Sequence, residues 1–380
     1  MEIEAVLESM VRPTGRVAQV AGLFDLPAGG TRVTTIRCTM PDADWAWNIG
    51  FVGGPSGSGK TTVARRTFPY AVWCGCGAPW PDDKAVVDGF PEGMGAGAVV
   101  ELLAGVGLNS PPAWLQPYAA LSEGQKWRAD LARGLAEGAQ RGPGTVVCAD
   151  EFTSAVDRDT AKCGSAAVAK TVRRLGLKLV AVGCHDDCVA WLDPDWVARP
   201  ATGTLTRRSL QGRPRLRFEI FRCHAEAWHL FREHHYLSHT LAPSSVCFMA
   251  VLGQTPVGFS AWLPFVGRGD PARREHRTVI LPPWQGVGVG MALSGWVASL
   301  WRGLGYRAIS ATAHPGYARS RLLSAHWRLT RAPSLARHTR KGLEARMSRA
   351  ANRLTAGFEY IGPAMDAKVA RSMLLGGGQA

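Results

Sequence analysis

The chain has 380 residues, 46% of them hydrophobic, and a net charge of +14. That is long for one domain and ordinary for two, with enough apolar content to build real cores. No apolar run reaches the roughly eighteen residues a membrane helix needs, and the acidic, interrupted opening MEIEAVLESM does not read as a signal peptide. The expectation is a soluble cytoplasmic protein without a membrane segment. Nine cysteines, scattered and odd in number, make no disulfide framework and read as reduced thiols.

In chain order, the first strong signal is GPSGSGKT, residues 54–61. A loop of the form GxxxxGK[ST] wraps backbone N–H groups around phosphates, through Gly54, Ser56, Gly57 and Gly59. Lys60 then reaches the β and γ oxygens, the Thr61 hydroxyl holds magnesium, and Thr62 follows in the same turn. LSEGQ, residues 121–125, opens a helical stretch over 126–137, and its Ser122, Gly124 and Gln125 make a second anion site at a helix N-terminus. An apolar strand over 145–149 ends in Asp150, suited to the magnesium shell, and Glu151, suited to polarising an attacking water. SAVD follows, ending at Asp157, and then a buried strand over 178–183 leads to His185.

Five signals in this order resemble the ABC-type ATPases: Walker A at 54–61, signature at 121–125, Walker B at 146–151, D-loop at 154–157 and switch histidine at His185. The resemblance implies ATP held between the Walker A of one subunit and the signature of the other, hence a head-to-tail homodimer. It also makes Phe24 a candidate for stacking on adenine, with a core phenylalanine the alternative. Two departures stand out. Only about 60 residues separate Walker A from the signature, and no glutamine lies between Thr61 and Leu115, Gln116 being too close to the signature. A transporter's coupling residue is therefore missing, which argues against a transporter subunit. Cys74 and Cys76, or Cys184 and Cys188, lack the second pair that zinc binding needs. Trp80, Trp114, Trp127 and Trp191 read as core or dimer-contact aromatics.

Charge divides the chain more sharply than its total suggests. Residues 1–205 hold 19 Lys and Arg against 22 Asp and Glu, a balance of −3, whereas residues 206–380 hold 25 against 8, a balance of +17. Such a field attracts a polyanion, and nucleic acid fits it; a CoA pyrophosphate or solubility are the plainer uses. Residues 199–214, rich in Gly, Pro, Thr and Arg, read as the linker. Beyond it the pattern predicts a strand over 216–221, a helix over 225–234, strands over 246–252, 257–265 and 278–281, a helix to about residue 302 and a strand over 307–313.

Between the fourth of these strands and the helix lies QGVGVG, in which Gln285, Gly286, Gly288 and Gly290 match QxxGxG. Its glycines let backbone N–H groups close on a pyrophosphate above a helix N-terminus. In that position the loop resembles the acyl-CoA loop of GNAT N-acetyltransferases. The fold class expected is therefore α/β: a P-loop ABC-type ATPase domain, residues 1–208, followed by a GNAT-like mixed α/β acyltransferase domain, residues 212–380. Aligning residues 318–327 on the family's next helix puts Leu322 where a catalytic tyrosine often stands, with Tyr317 and Ser320 as nearby substitutes. Glu275 and His276, at the start of the fourth strand, are candidate bases, exposed strand-end charges being the alternative.

FREHHYLSH, residues 231–239, packs five polar or titratable side chains into six residues. With the REHR segment, residues 274–277, and the basic C-terminal region, it resembles the Mom-type phage DNA-modification branch of the GNAT-like proteins. The resemblance covers roughly residues 215–325 and implies modification of adenine N6 in DNA. It also implies Tyr236, Ser238 and Arg277 as substrate or catalytic positions, with His234 and His235 as candidates, iron ligation included. A base inside a duplex would have to be flipped out. Residues 328–353 hold eight Lys and Arg against one acid and read as phosphate contacts without base readout, a solvated basic helix being the alternative. A last strand is expected over 356–361 and a loose tail over 374–380.

The cofactors implied are ATP, Mg2+ and acetyl-CoA or a related acyl donor. Two other functions stay open at this point: an N-acetyltransferase for an amine on tRNA, protein or a small molecule with a regulatory ATPase, and a non-catalytic ATP-gated DNA clamp.

Overall fold

The computed structural model describes all residues except 25, 43, 208–215, 236–238, 266–269, 336–353 and 376–380. The elements of the N-terminal half run β1 (Glu2–Val11), α1 (Gly15–Leu23), β2 (Gly30–Thr39), β3 (Ile49–Gly53), α2 (Lys60–Thr67), β4 (Val72–Trp73), α3 (Ala96–Gly105), α4 (Pro111–Trp114), α5 (Glu123–Arg141), β5 (Val146–Ala149), α6 (Arg158–Leu175), β6 (Lys178–Gly183), α7 (Val189–Leu192), β7 (Trp196–Arg199) and β8 (Thr204–Arg207). The rest is β9 (Glu219–Cys223), β10 (Val246–Leu252), β11 (Thr255–Phe265), β12 (Ala272–Ile280), α8 (Val289–Gly303), β13 (Arg307–Thr312), α9 (Pro315–Leu322), β14 (Trp327–Leu335), β15 (Leu354–Tyr360) and α10 (Ala367–Leu375). Two compact units form. The first joins Met1–Ala78, Arg133–Val156 and Ala169–Arg213; the second joins Pro79–Ala132, Asp157–Val168 and Pro214–Ala380.

The first unit is built on a six-stranded sheet in the order β4-β5-β6-β3-β7-β8, parallel except for β8. β3 and β6 are apolar runs buried at nearly every residue, as strands covered on both faces must be. β6 lies between β3 and β5, so Gly53 pairs with Gly183 while Ala149 pairs with Ala181. Three strand ends are thereby brought side by side. Trp47, Phe68 and Trp196 pack against one another in the core, Trp47 edge-on to Trp196 at 5.3 Å. β1 and β2 form a separate antiparallel ribbon.

The second unit carries a seven-stranded sheet, β14-β15-β13-β12-β11-β10-β9, antiparallel except where β12 meets β13. That parallel pair holds only from Ala272 opposite Arg307 to Arg274 opposite Ile309, after which the ladder ends. On its other side β12 bulges: Ala261 faces Arg277 and Trp262 faces Glu275, leaving His276 as the extra residue. Leu293, Val297 and Trp301 of α8 share a core with Phe248, Trp262 and Phe358.

Several expectations are corrected. The helix expected over 225–234 is two 3-10 turns, Ala225–Leu230 and Arg232–His234. Trp228 and Phe231, three apart, both bury against Phe259, and a three-residue turn keeps them on one face. The supposed linker over 199–214 starts as a β7–β8 hairpin in which Arg199 pairs with Thr204, and residues 208–215 lie outside the described residues. The fourth strand begins at Ala272, so Glu275 and His276 lie within it and not at its start. The helix expected over 318–327 is α9, over by Leu322, and Trp327 already opens β14. The basic run at 328–353 begins as strand, not helix, with Arg328 opposite Glu359 and ion-paired to it at 2.9 Å. Residues 336–353 lie outside the described residues. The tail expected from 374 begins as the end of α10.

Close packing in the first sheet makes one glycine sensitive. A Cβ on Gly50 would lie 2.0 Å from the buried Trp196 ring. Gly50→Val is expected to lower unfolding free energy by roughly 3 kcal/mol in urea titration, the upper range for overpacking. Gly97→Ala, in α3 with open space around it, is expected to be neutral or to stabilise by up to about 1 kcal/mol.

Candidate functional site

The phosphate loop spans from the end of β3 to α2, and its glycines hold conformations that side chains resist. Gly54, Gly57 and Gly59 have φ of 146°, 77° and 82°. Gly59 is the N-cap of α2, makes no side-chain cap bond, and would drive a Cβ to 2.1 Å from Ile36. The first N–H groups of α2 therefore face the loop without a capping side chain. Lys60, buried, spans the loop by donating to the Pro55 carbonyl at 2.8 Å. The Thr61 hydroxyl donates to Asp150 Oδ1 at 3.1 Å, bringing the glycine loop and the carboxylate that follows β5 together. A hydroxyl and a carboxylate side by side at the head of a helix are hard oxygen donors that fit magnesium beside phosphates. Ser56 is exposed on the loop, and Thr62 sits half-buried in the first turn of α2.

Beyond β5 the backbone is strained. Glu151 and Thr153 have φ of 47° and 68°, a left-handed conformation that costs of order 1–3 kcal/mol per residue where it is held. The Phe152 N–H donates to the Val182 carbonyl at 2.7 Å, tying this turn to β6. Glu151 is exposed and accepts from the Ser154 hydroxyl at 2.7 Å. His185 follows β6 and is also exposed. A cleft of about 490 Å³ opens beside the loop, lined by residues 34–37, 57–58 and 200–203. Phe24, expected to stack on adenine, is not among those residues; it ends α1 with 69% of its surface exposed.

LSEGQ opens α5 as a capping box. The Ser122 N–H donates to Gln125 Oε1 at 3.0 Å, and the Gln125 N–H donates back to the Ser122 hydroxyl at 3.4 Å. Gly124 lies in the first turn between them. Asp157, expected among nucleotide-binding residues, caps α6: its oxygens accept from the Thr160 N–H at 2.9 Å and the Thr160 hydroxyl at 2.6 Å. Burial opposes its ionisation, but these bonds prevail and hold its carboxyl below the usual range. Both signals are thus also helix-capping devices, which motif reading alone does not separate from ligand binding.

In the second unit, a polar cluster occupies the place where β12 and β13 part. Glu275 of β12 accepts from Thr278 at 2.6 Å, from Ser310 of β13 at 2.5 Å and from Arg321 of α9 at 2.6 Å. Arg321 is fully buried, donates also to Ser294 of α8 at 2.9 Å, and lies over the rings of Trp327 and Tyr317 at 4.0 and 4.3 Å. Burial alone would raise the Glu275 pKa, yet Arg321 and the hydroxyls outweigh it and the carboxyl is held below its ordinary value. A carboxylate so occupied is a poor proton acceptor, which corrects the expectation of Glu275 as a free base. His276, on the bulge, is different. Its Nε2 is buried without a hydrogen-bond partner, and burial, with Arg277 and Arg274 nearby, lowers its pKa to about 4. Arg277, half-buried, donates to the His276 carbonyl at 3.1 Å.

Gln285 donates to the Ile280 carbonyl at 2.7 Å, anchoring the glycine loop to β12. Gly286 and Gly288 have φ of 82° and 95°, and Gly288 is the N-cap of α8 with nothing within 4 Å of an added Cβ. Open space above an uncapped helix N-terminus fits an anionic group, while a Cβ on Gly286 would meet Ala167 at 2.8 Å. Gly290 plays another part: its carbonyl accepts from the Tyr317 hydroxyl at 3.1 Å. Tyr317, which burial keeps protonated, also reaches Glu275 at 3.4 Å. Leu322 and Ser320 are exposed on α9. His235 is buried edge-on to Trp228 at 5.6 Å, and His234 is exposed. Tyr236 and Ser238 lie outside the described residues. No group of three or more His, Cys, Asp and Glu side chains among the described residues could hold a metal ion, so iron finds no ligand set there. Arg321 was missed in the sequence. Its position four residues after Tyr317, one helical turn on, was the available signal.

No protein-family model matches the chain, and no curated protein matches it. Among solved structures, it is similar to the dimeric structure of MJ0796, a bacterial ABC transporter cassette, at 15% identity and TM-score 0.37, over 48% of this chain and 93% of that one. It is also similar to the dimeric post-hydrolysis state of the ATP-binding cassette MJ0796 bound to ADP and Pi, at 14% identity and TM-score 0.38, over 56% and 100% of the two chains. These likenesses are low.

The polar cluster sets a pH signature. Glu275 has a depressed pKa in the folded chain, so its stabilisation is present above its unfolded value and lost as pH falls through the folded one. His276 acts in the same direction: between 6.5 and about 4 the unfolded chain binds more protons, so stability falls with pH across that window. His276→Gln is expected to flatten this part of the urea-midpoint profile. Arg321→Met, which strands the Glu275 carboxylate, is expected to cost roughly 3–5 kcal/mol in the same assay. Adding Glu275→Leu to it should recover part of that loss.

Proposed function

We propose that the chain is an ABC-type ATPase, residues 1–208, fused to a GNAT-like acyltransferase, residues 212–380. The reading extends to modification of a nucleic acid base, an exocyclic amine such as adenine N6 in DNA, from acetyl-CoA or a related donor. The Thr61–Asp150 hydrogen bond at 3.1 Å carries the ATPase half. It joins two motifs 89 residues apart into one magnesium-type donor set, at the mouth of a glycine loop that only glycine can trace. Glu151, held on a strained turn at the end of β5, orients water for attack on the γ-phosphate. Ser122, Gly124 and Gln125 present a helix N-terminus to phosphates supplied by a second copy, so nucleotide closes a homodimer.

For the transferase half, support comes from the parting of β12 and β13 beside the uncapped N-terminus of α8. A bound acyl donor would supply an activated acyl group, and Gly286 and Gly288, the latter in open space at the N-cap of α8, would hold its pyrophosphate. Glu275 and Arg321 position Tyr317, whose protonated hydroxyl is the hydrogen-bond donor at this site. His276, kept neutral by burial and by Arg277 and Arg274, stands next to Glu275 on the bulge of β12. The +17 balance of residues 206–380 supplies the field that holds a polyanionic substrate. Tyr236, Ser238 and Arg277 are assigned to substrate contact in this reading.

Two measurements test it. Glu151→Gln is expected to form an ATP-dependent dimer in light scattering; a monomer at saturating ATP overturns the sandwich. Nucleoside mass spectrometry of DNA from expressing cells is expected to show a mass-shifted base that is lost in Gly288→Asp. An unshifted nucleoside pool with DNA-stimulated, salt-sensitive ATPase turnover would favour the clamp, and neither effect would favour another amine acceptor.

A further inference from the structure

LSEGQ belongs to a segment that packs within the second unit, and an unbroken set of contacts leads from it to the polar cluster. Arg128 of α5 is buried and donates to the Gly124 carbonyl at 2.9 Å and to the Gly107 carbonyl at 3.2 Å. It fastens the first turn of α5 to the end of α3. Asp130, two residues on, accepts from Trp80 at 2.7 Å and Tyr118 at 2.8 Å, whose rings stack 4.9 Å apart. The segment is therefore braced internally. From α3, Glu101 forms an ion pair with Arg319 of α9. From α4, Trp114 lies 5.9 Å from the ring of His314. His314 caps α9, its Nδ1 accepting from the Tyr317 N–H at 3.3 Å. A Cβ on Gly316 would sit 3.7 Å from that of Ala104, so the two helices meet closely.

We infer that residues 79–132 act as a lever joining the LSEGQ turn to α9, so that nucleotide bound at LSEGQ repositions Tyr317 against Glu275 and Gly290 and sets the state of the transferase site. The inference rests on the ATPase reading above and adds to it the direction of control. Two features join the turn to α9 through packed side chains. Arg128 couples the turn to α3 through buried charge-assisted hydrogen bonds, and α9 carries both the contacted surface, Arg319 and His314, and the responding side chain, Tyr317. Glu101 and Arg319 lie outside the catalytic and nucleotide groups, so they can be altered without touching either.

Amide hydrogen exchange on the Glu151→Gln chain with Mg-ATP tests this. Exchange in α9, Pro315–Leu322, is expected to change about fivefold or more on adding ATP, the lower bound of ordinary allosteric coupling. Glu101→Arg and Arg319→Glu should each abolish that response while leaving ATP protection at residues 54–61 and the exchange of α9 without ATP unchanged. The double swap should restore it, and Glu101→Gln serves as a milder break. An α9 response that persists in both single variants, or is absent while residues 54–61 are protected, overturns the lever. No protection at residues 54–61 removes the ATPase reading and the lever together.

Discussion

The second unit depends on how two strands that begin as neighbours are allowed to separate. β12 and β13 share only three paired positions, and past them the backbone of each would face an unfilled gap inside a protein. The gap is filled by a buried ion pair, Glu275 and Arg321, reached by hydroxyls from both strands and from α8. Taking two charges out of water is costly and is offset only when further donors complete the set. Here Thr278, Ser310 and Ser294 complete it, and aromatic rings flank the guanidinium. Because the partners come from β12, β13, α8 and α9, the pair fixes the mutual placement of these elements. A low-dielectric site also strengthens each of these bonds and makes any missing partner expensive.

A different constraint governs the first unit. Its phosphate loop exists because β3 is buried among parallel neighbours and ends where α2 must begin, leaving the helix N–H groups exposed toward the loop. Placing β6 between β3 and β5 then sets Thr61, Asp150 and the turn after β5 at adjoining strand ends. The left-handed backbone at Glu151 and Thr153 is retained there because Phe152 is bonded back to β6. Such strain at a strand end is a common companion of chemistry.

Helix capping recurs within the second unit. Ser122 with Gln125, Asp157 with Thr160, and His314 with Tyr317 all satisfy orphan N–H groups at helix starts. A cap that is also a site ties the local stability of a helix to what occupies its N-terminus. The +17 second half adds a long-range field to these short-range devices, and Glu359 illustrates how part of it is neutralised locally, by Arg307 at 2.7 Å and Arg328 at 2.9 Å.

Sequence by itself determined the phosphate loop, the acidic pair ending β5, the strand ending near His185, most strands of the second sheet and the charge division. These are short-range facts: glycine spacing, apolar runs and residue charge act over a few positions of chain. The 3-10 turns at residues 225–234, the strand start of the basic run and the cap role of Asp157 were decided by what each segment packs against. Arg321 was invisible because its partner lies 46 residues earlier, and an arginine on an ordinary helix carries no mark of burial. Glu275 looked like a base because composition shows a carboxylate and its neighbours in sequence, whereas only the folded sheet supplies the cation and hydroxyls that occupy it. A side chain's type is written locally, but its protonation, partners and solvent are set by elements that meet only once the chain has folded.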